Sequence, residues 1–344
     1  MVLRPRGRGR VDRRRHPFRN PRPLLVAGGF VYAALALMTD PAPAPAPRLL
    51  TRAGIVTVVG RPNAGKSTLL NRVVGEKLAI TSPKPQSTRD RVVGIRTEGN
   101  VQMVFFDTPG LLEPRYALHV AMRATAQEAL RDADVIVYLA DASEGAPAPL
   151  VEAAALASPP AAPVLVALNK VDAVSDGDIG RLRAELPDAF PVSALTGDGV
   201  PELLNTLERH LPESPFLYPE DELSTQSVRF FTAELIRETA LEQLGEEVPY
   251  SLACEIDEFR EAASPVYIRA VLYVERESQK GIVIGARGAR LRDIGRAARA
   301  KVEALVGGPV YLDLWVKVLP NWRRDERALR RFGYTSATRR PPAA

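Results

Sequence analysis

Eight residues constrain this chain more than any other stretch: Gly60-Arg61-Pro62-Asn63-Ala64-Gly65-Lys66-Ser67, directly after the apolar run Ile55 to Val59. A buried strand, a glycine-bracketed turn, Lys-Ser and then helical spacing describe a loop whose backbone N–H groups turn inward. The helix opening at Lys66, Ser67 and Thr68 aims its positive end into that loop, so the natural occupant is a phosphate chain. In this reading Lys66 reaches the outer two phosphates and the Ser67 hydroxyl holds Mg²⁺. A glycine loop alone is a weak signal; three further segments strengthen it.

Asn169-Lys170-Val171-Asp172 closes the apolar strand Pro163 to Leu168. Guanine offers a ring N–H and an exocyclic amine side by side, and Asp172 can accept from both. A site built around that carboxylate rejects a base that leaves it unpaired. The Lys170 stem is expected along the base plane, and Asn169 is expected to tie this loop to the phosphate loop. Ser193-Ala194-Leu195, after the short strand Phe190 to Val192, is placed to offer a backbone N–H to the guanine carbonyl. Asp107-Thr108-Pro109-Gly110 ends the strand Val101 to Phe106. Asp107 reads as a water-mediated Mg²⁺ ligand and the Gly110 N–H as a γ-phosphate contact. The segment Pro85 to Arg91 reads as a switch loop, with Thr88 closing over Mg²⁺ when the γ-phosphate is present and Ser87 and Thr81 as rivals. Lys66, Thr88 and Gly110 are thus the candidate catalytic groups, and Ser67, Thr88 and Asp107 the candidate metal ligands.

The wording GRPNAGKSTLLN, ITSPKPQSTRDRVVGI, DTPGL, NKVD and VSALTGDGV over residues 53–211 resembles the Era family of ribosome-associated GTPases. The resemblance implies an α/β fold: a Ras-like P-loop GTPase domain with a mixed, mostly parallel sheet, followed by an α+β type II KH domain. It implies GTP hydrolysis with GTP/GDP and Mg²⁺ as ligands, binding to 16S-type rRNA near its 3′ end, and action in small-subunit assembly as a monomer. Leu111 stands where many GTPases place a water-orienting glutamine, so hydrolysis is expected to be slow alone. A K⁺ ion near Asn63 is suggested by analogy with related GTPases.

After an acidic, Pro-rich linker at 212–224, residues 225–334 carry the second pattern. Helical spacing from Thr225 to Leu244 precedes two strands, Pro249 to Phe259 and Pro265 to Val274. Gln279 to Gly288 then contains Gly285-Ala286-Arg287-Gly288, and a basic amphipathic helix runs from Ala289 to about Leu305 before a last strand, Pro309 to Val318. A GxxG loop between two helices lets backbone approach backbone, with Arg287 gripping phosphate. Lys280, Ile282, Ile284, Gly285, Ala286, Arg287, Gly288, Arg290 and Arg292 are the candidate RNA-binding residues, the apolar run Ile282 to Ile284 forming a floor for bases. Trp322 is expected either to stack on a base or to pack the core.

Charge is unevenly spread. Residues 280–344 hold fifteen Lys and Arg against five acidic residues, whereas residues 39–279 hold 22 against 35. A basic end suits a polyanion and an acidic middle repels one outside its nucleotide pocket. Residues 1–52 form a leader: an Arg-rich stretch, an apolar run Leu24 to Met38, then a Pro-Ala string. It reads as a presequence, which would place the protein in an organelle matrix, or as an upstream extension with translation starting at Met38 and a cytoplasmic product. The apolar run also supports an alternative, a membrane-associated signalling GTPase with a protein effector, peripheral at the inner membrane. A tRNA-modification GTPase is a third reading, weakened because it would want a catalytic cysteine or a cofactor domain, whereas Cys254 falls inside an apparent strand. The one cysteine, Cys254, excludes an internal disulfide and is expected in the core. The three histidines suggest no metal site. Residues 335–344 are read as a tail.

Overall fold

The computed structural model describes residues 50–334 apart from 83, 85, 246 and 247, so the readings of the leader and of the tail lie outside the described residues. The chain first builds β1 (Arg52–Val59), α1 (Lys66–Val74), β2 (Val92–Glu98), β3 (Val101–Asp107), α2 (Ala117–Asp132) and β4 (Val135–Asp141). It continues through α3 (Leu150–Ala153), β5 (Val164–Asn169), α4 (Asp176–Glu185), β6 (Phe190–Pro191) and α5 (Val200–His210). These strands form one sheet in the order β2-β3-β1-β4-β5-β6. Only β2 runs antiparallel to its neighbour; β1, β3, β4, β5 and β6 are parallel. Near-continuous apolar strands such as β4, buried except at its last residue, are what a sheet covered on both faces demands. Parallel connectivity also brings the C-terminal ends of β1, β3, β4, β5 and β6 to one edge, where ligands of such sheets bind.

The rest of the chain forms α6 (Val228–Gln243), the short turn α7 (Val248–Ser251), β7 (Ala253–Arg260), β8 (Val266–Val274), α8 (Glu277–Ile284), α9 (Ala289–Val306), β9 (Val310–Val318) and α10 (Glu326–Arg331). The sheet order is β7-β8-β9, with β7 antiparallel and β9 parallel to β8. Helix, strand, strand, helix, helix, strand is the type II KH order expected above. Its core is Ile236, Ala240, Ile268, Ala270, Leu272, Val283, Ile294 and Ala298, among others, from helices and sheet alike.

Two expectations need correction, and the alternative readings of Trp322 separate. The strand read as beginning at Pro249 begins at Ala253, because residues 248–251 coil into α7. The carbonyls of Pro249, Tyr250 and Leu252 are taken by the Arg89 guanidinium rather than by a strand partner. The run Ile282 to Ile284 is the last turn of α8, so helical geometry splits it: Val283 enters the core and Ile282 faces out. Trp322 is fully buried, its ring N–H donating to the Ser251 carbonyl at 2.8 Å, so the core reading holds and base stacking does not.

The segment after α5 is pinned along the first sheet. Ile95 N–H donates to the Leu223 carbonyl at 2.8 Å and the Ser224 hydroxyl to the Val93 carbonyl at 2.5 Å. Polar groups of edge strand β2 are thereby covered, which protects it from pairing with another chain. The two halves meet through a shared apolar cluster in which Leu118 and Met122 of α2 pack with Val271, Tyr273, Trp322 and Leu329.

Candidate nucleotide site and nucleic-acid interface

The segments singled out in the sequence converge on the C-terminal edge of the first sheet. The phosphate loop follows β1, Asp107 to Gly110 start on the last residue of β3, Asn169 to Asp172 start on the last residue of β5, and Ser193 to Leu195 come just after β6. Glycine is required twice in the loop itself. Gly65 has φ +95 and a Cβ there would run into the Asn169 amide; Gly60 has φ +157 and a Cβ would strike the Leu139 carbonyl. At Gly110 a Cβ would lie 2.7 Å from the Pro62 nitrogen, so the third loop approaches the first as closely as backbones allow.

Lys66 is buried, its ammonium donating to the carbonyls of Arg61 (2.9 Å) and Gly60 (3.2 Å). Burial pulls its pKa down to about 8, against the opposing pull of Asp107. Asp107 is buried as well, and burial raises its pKa to about 6 despite Lys66, Ser67 and Thr88. The Ser67 hydroxyl donates to Asp107 Oδ2 at 2.6 Å and lies 2.9 Å from the Thr88 hydroxyl, which itself lies 3.4 Å from that oxygen. Two hydroxyls and a destabilised carboxylate thus share one point. Asp107 Oδ1 has no hydrogen-bond partner among the described residues, the demand that a hard divalent cation satisfies. These residues fit Mg²⁺. Of the three rival hydroxyls it is Thr88 that arrives here; the Thr81 N–H bonds Glu238 and the Ser87 carbonyl accepts from Arg237.

Asn169 joins three loops. Its amide donates to the Ala64 carbonyl at 2.7 Å and its oxygen accepts from Ala194 N–H at 2.8 Å. The Ser193 N–H goes to the Asp198 carbonyl, so among the described residues Leu195, 69% exposed, carries the N–H of this trio that is not engaged. Lys170 adopts φ +67 and its ammonium pairs with Asp141 at 2.6 Å, which spreads its stem along the rim. Asp172 is exposed at the mouth. Arg61 pairs on the surface with Glu144 at 2.7 Å, and Asn63 adopts φ +64. Thr108 donates to the Val58 carbonyl at 2.8 Å, locking its loop onto β1. Leu111 is buried against Ala126 and Leu130, so its side chain cannot address a water in the site. A cleft of about 940 Å³ flanks the phosphate loop between Pro62, Leu111 to Arg115 and Asp141 to Ala148. It touches Arg61, Pro62 and Ala64 but neither Thr88 nor Asp172, so it adjoins the nucleotide-binding segments rather than containing them.

Sequence reasoning passed over Asp141, Arg72 and the arginines 89 and 237. Asp141 ends β4 at the same sheet edge, and that position was its signal. Arg72 holds the Ala194 carbonyl at 2.6 Å and also bonds that of Leu195, a contact to backbone that leaves no mark in the sequence.

The second site is open. Gly285, Arg287 and Gly288 have φ +71, +51 and +76, a loop of left-handed residues between α8 and α9. Arg292 braces it by donating to the Arg287 carbonyl at 2.8 Å. Arg287 and Arg290 make no ion pair among the described residues, whereas Lys280 lies 3.8 Å from Glu277. Ile282 is 43% exposed and Ile284 half-buried beside it. Backbone N–H groups at the start of an 18-residue helix, flanked by two unpaired guanidinium groups, are suited to a phosphodiester.

Comparison with known proteins agrees with this geometry. A family model described as "50S ribosome-binding GTPase" matches residues 55–170, and one described as "KH domain" matches residues 247–323. The chain is 43% identical over 294 residues to GTPase Era of Pseudomonas fluorescens, covering 83% of this chain and 97% of that one. It is 42% identical over 292 residues to GTPase Era of Geobacter metallireducens, covering 83% and 98%. A crystal structure of an Aquifex aeolicus Era point variant bound to GDP·AlF4⁻ superposes with a TM-score of 0.78 at 39% identity, covering 83% of this chain and all of that one. A structure of Era with MgGDPNP and nucleotides 1506–1542 of 16S ribosomal RNA also gives 0.78, at 40% identity and with 83% and 99% covered. A Ras-like P-loop domain joined to a KH domain, with sequence kinship along nearly the whole length of these relatives, leaves one assignment: the chain belongs to the Era family of GTPases.

Proposed function

We propose that the protein is a GTP-driven switch that binds small-subunit ribosomal RNA near its 3′ end and acts in assembly of the small ribosomal subunit. The observation that carries the RNA half is the solvent-open GxxG loop, with positive φ at Gly285, Arg287 and Gly288 and with Arg287 and Arg290 in no ion pair among the described residues at the head of α9. The related structure holding a 16S fragment supports that direction. In this reading residues 53–211 form the GTPase domain, 212–224 the linker and 225–334 the RNA-binding domain.

Each residue then has a task. Lys66 and the N–H groups of Gly65 to Thr68 carry the phosphate charge; a cation of lowered pKa in a buried site interacts more strongly with phosphate than one in water. Ser67, Thr88 and Asp107 would hold Mg²⁺, which would supply positive charge against the phosphates. Gly110 offers its N–H to the γ-phosphate, with Thr108 and Pro109 fixing the loop. Asn169, Lys170, Asp172 and the Ser193 to Leu195 turn select guanine. With Leu111 buried, no side chain of that loop orients water, so hydrolysis is slow without help, and K⁺ beside Asn63 belongs to the same proposal. We place the protein in the cytoplasm as a monomer. No described helix is long and apolar enough to cross a membrane. The membrane-associated and organellar readings rest on residues 1–52, nearly all of them outside the described part.

The test is binding of the full chain to an oligonucleotide of the rRNA 3′ end, with a GTP analogue and with GDP, and with Gly288→Asp as control. GTP-favoured binding lost in the variant supports the reading. Weak binding that ignores both nucleotide and variant refutes it.

A further inference from the structure

Thr88 is held in place from outside its own domain. The residues on either side of it are gripped by the second domain, one through its carbonyl and one through its side chain. The Ser87 carbonyl accepts from the Arg237 guanidinium, which Glu234 holds at 2.7 and 2.9 Å within α6. Arg89 leaves the loop altogether. Its guanidinium donates to the carbonyls of Leu252 (2.6 Å), Tyr250 (3.1 Å) and Pro249 (3.3 Å) and lies 5.5 Å from the centre of the Trp322 ring. Trp322 is fixed in turn by the Ser251 carbonyl. Just before the loop, the Thr81 N–H donates to Glu238 at 3.1 Å and Lys84 reaches the carbonyls of Leu241 and Leu244.

A loop arginine serving only its own loop would keep its guanidinium in water, where the charge is cheapest. Arg89 is 3% exposed, and burial lowers its pKa. That position is tolerable because three carbonyls, the Tyr334 side chain and an aromatic face receive it. Even so, Arg89 Nε and Arg237 Nη1 find no partner among the described residues. The seat is therefore strong but incompletely satisfied, which suits a contact that is made and released. One residue away, the Thr88 hydroxyl sits against Ser67 and Asp107. Backbone geometry leaves little slack over a single residue, so moving Arg89 moves Thr88.

We propose that Arg89, assisted by Arg237, is a positioning residue for GTP hydrolysis: the RNA-binding domain seats the switch-loop threonine at the metal site by gripping both of its neighbours. The proposal rests on the reading of Thr88 as the threonine that closes over Mg²⁺. It assigns the KH domain a part in the reaction beyond RNA capture. Linkage is reciprocal, so anything that shifts this domain changes the site's affinity for Mg²⁺ and GTP, and GTP shifts the domain equally.

The experiment uses the full chain and Thr88→Ala, Arg89→Lys, the double variant, and Arg237→Gln, each checked for folding by thermal unfolding. Arg89→Lys keeps the charge and most of the stem but cannot span three carbonyls. Single-turnover hydrolysis is read beside Mg²⁺ titrations of a fluorescent GTP analogue and of fluorescent GDP. For Arg89→Lys the expectation is about tenfold slower hydrolysis, a matching rise in the Mg²⁺ needed by the GTP state, and GDP affinity within about twofold of the parent. In the Thr88→Ala background Arg89→Lys should change hydrolysis less than about twofold, because it acts only through that threonine. Arg237→Gln withdraws the other grip and should move the same readouts in the same direction, which keeps the idea testable if Arg89→Lys folds poorly. If Thr88→Ala slows hydrolysis while both arginine variants match the parent, the positioning role is overturned. Multiplying effects of Thr88→Ala and Arg89→Lys, or equal losses for GTP and GDP, overturn it too. No effect of Thr88→Ala itself removes the underlying reading of the metal site.

Discussion

The nucleotide site and the GxxG loop both rest on glycines in left-handed conformations, yet they are built on opposite principles. Around the phosphates, side chains from four loops already hold one another: Asn169 ties Ala64 to Ala194, Thr108 ties its loop to β1, and Gly60 and Gly65 are pressed against neighbours. At the second site the loop stands in solvent, braced by Arg292, and at Gly288 the nearest atom a Cβ would meet is the end of the Arg292 side chain, at 3.3 Å. The first site is preorganised and pays for that in buried charge; the second takes its final shape from the polyanion it meets. Damage to the first should remove ligand binding outright. Damage to the second should weaken one affinity and leave the rest of the molecule alone.

The largest effect is expected at Lys66. Lys66→Ala deletes a desolvated, charge-assisted contact to two phosphates and should lower GTP affinity by at least about a hundredfold, roughly 3 kcal/mol. Calorimetric titration with GTP and GDP reads this directly, and near-parental affinity would break the assignment of the phosphate loop. Asp172→Asn replaces the charged acceptor by an amide that presents a donor to guanine. Affinity for GTP should fall about a hundredfold while xanthosine triphosphate gains, since its extra carbonyl accepts from the new amide. Unchanged GTP binding would show that the base is read elsewhere. Gly288→Asp probes the contrasting principle. It introduces a side chain at φ +76 and a negative charge between Arg287 and Arg290. RNA affinity should drop about tenfold and its dependence on log salt should flatten by about one unit, with GTP affinity unaltered. A parallel loss of GTP affinity would erase the distinction between the two sites.

The two sites also differ in how far they could be read from the sequence. Phosphate and guanine recognition need particular side chains at fixed offsets on a strand-loop-helix frame, so the motifs fall in short contiguous segments. Even their order along the sheet edge follows from parallel connectivity. The KH order was legible from alternation and helical spacing, but local detail was not. Periodicity saw Pro249 as strand because apolar residues alternate there, while a guanidinium some 160 positions upstream was bending those carbonyls into a turn. Arg72, Arg89 and Arg237 act on backbone carbonyls, which every residue has, so no pairing of residue types reveals them. Trp322 belonged to the core for a similar reason. Its partners are Ser251's carbonyl and Arg89, from two distant segments, and the ring of Phe332 just beyond α10.

The smallest predicted effect lies at the seam between the domains, and it sets the nucleotide site against its surroundings by sign. His119 opens α2 with Nδ1 near the Arg115 N–H (3.3 Å), Nε2 3.1 Å from the Gln86 amide oxygen and its ring 3.8 Å from that of Tyr116. Burial, and then the cations Arg323, Arg115 and Arg89, lower its pKa to about 4. Between pH 6.5 and 4 the unfolded chain binds a proton there and the folded chain does not, so this group withdraws stability as the pH falls through that window. Asp107 does the reverse: with its pKa raised to about 6, the folded chain holds a proton that the unfolded chain lacks, and stability grows as the pH falls from 6 towards 3.8. Urea unfolding at pH 7.5 and 5.0, with Mg²⁺ and GDP saturating so that Asp107 stays ionised, isolates the histidine. His119→Gln should then reduce the acid loss by about 1 kcal/mol, roughly half of what a shift from 6.5 to about 4 implies over this range. An equal acid loss in parent and variant would place the pH sensitivity outside the seam, and would leave the contact between α2 and the switch loop indifferent to charge.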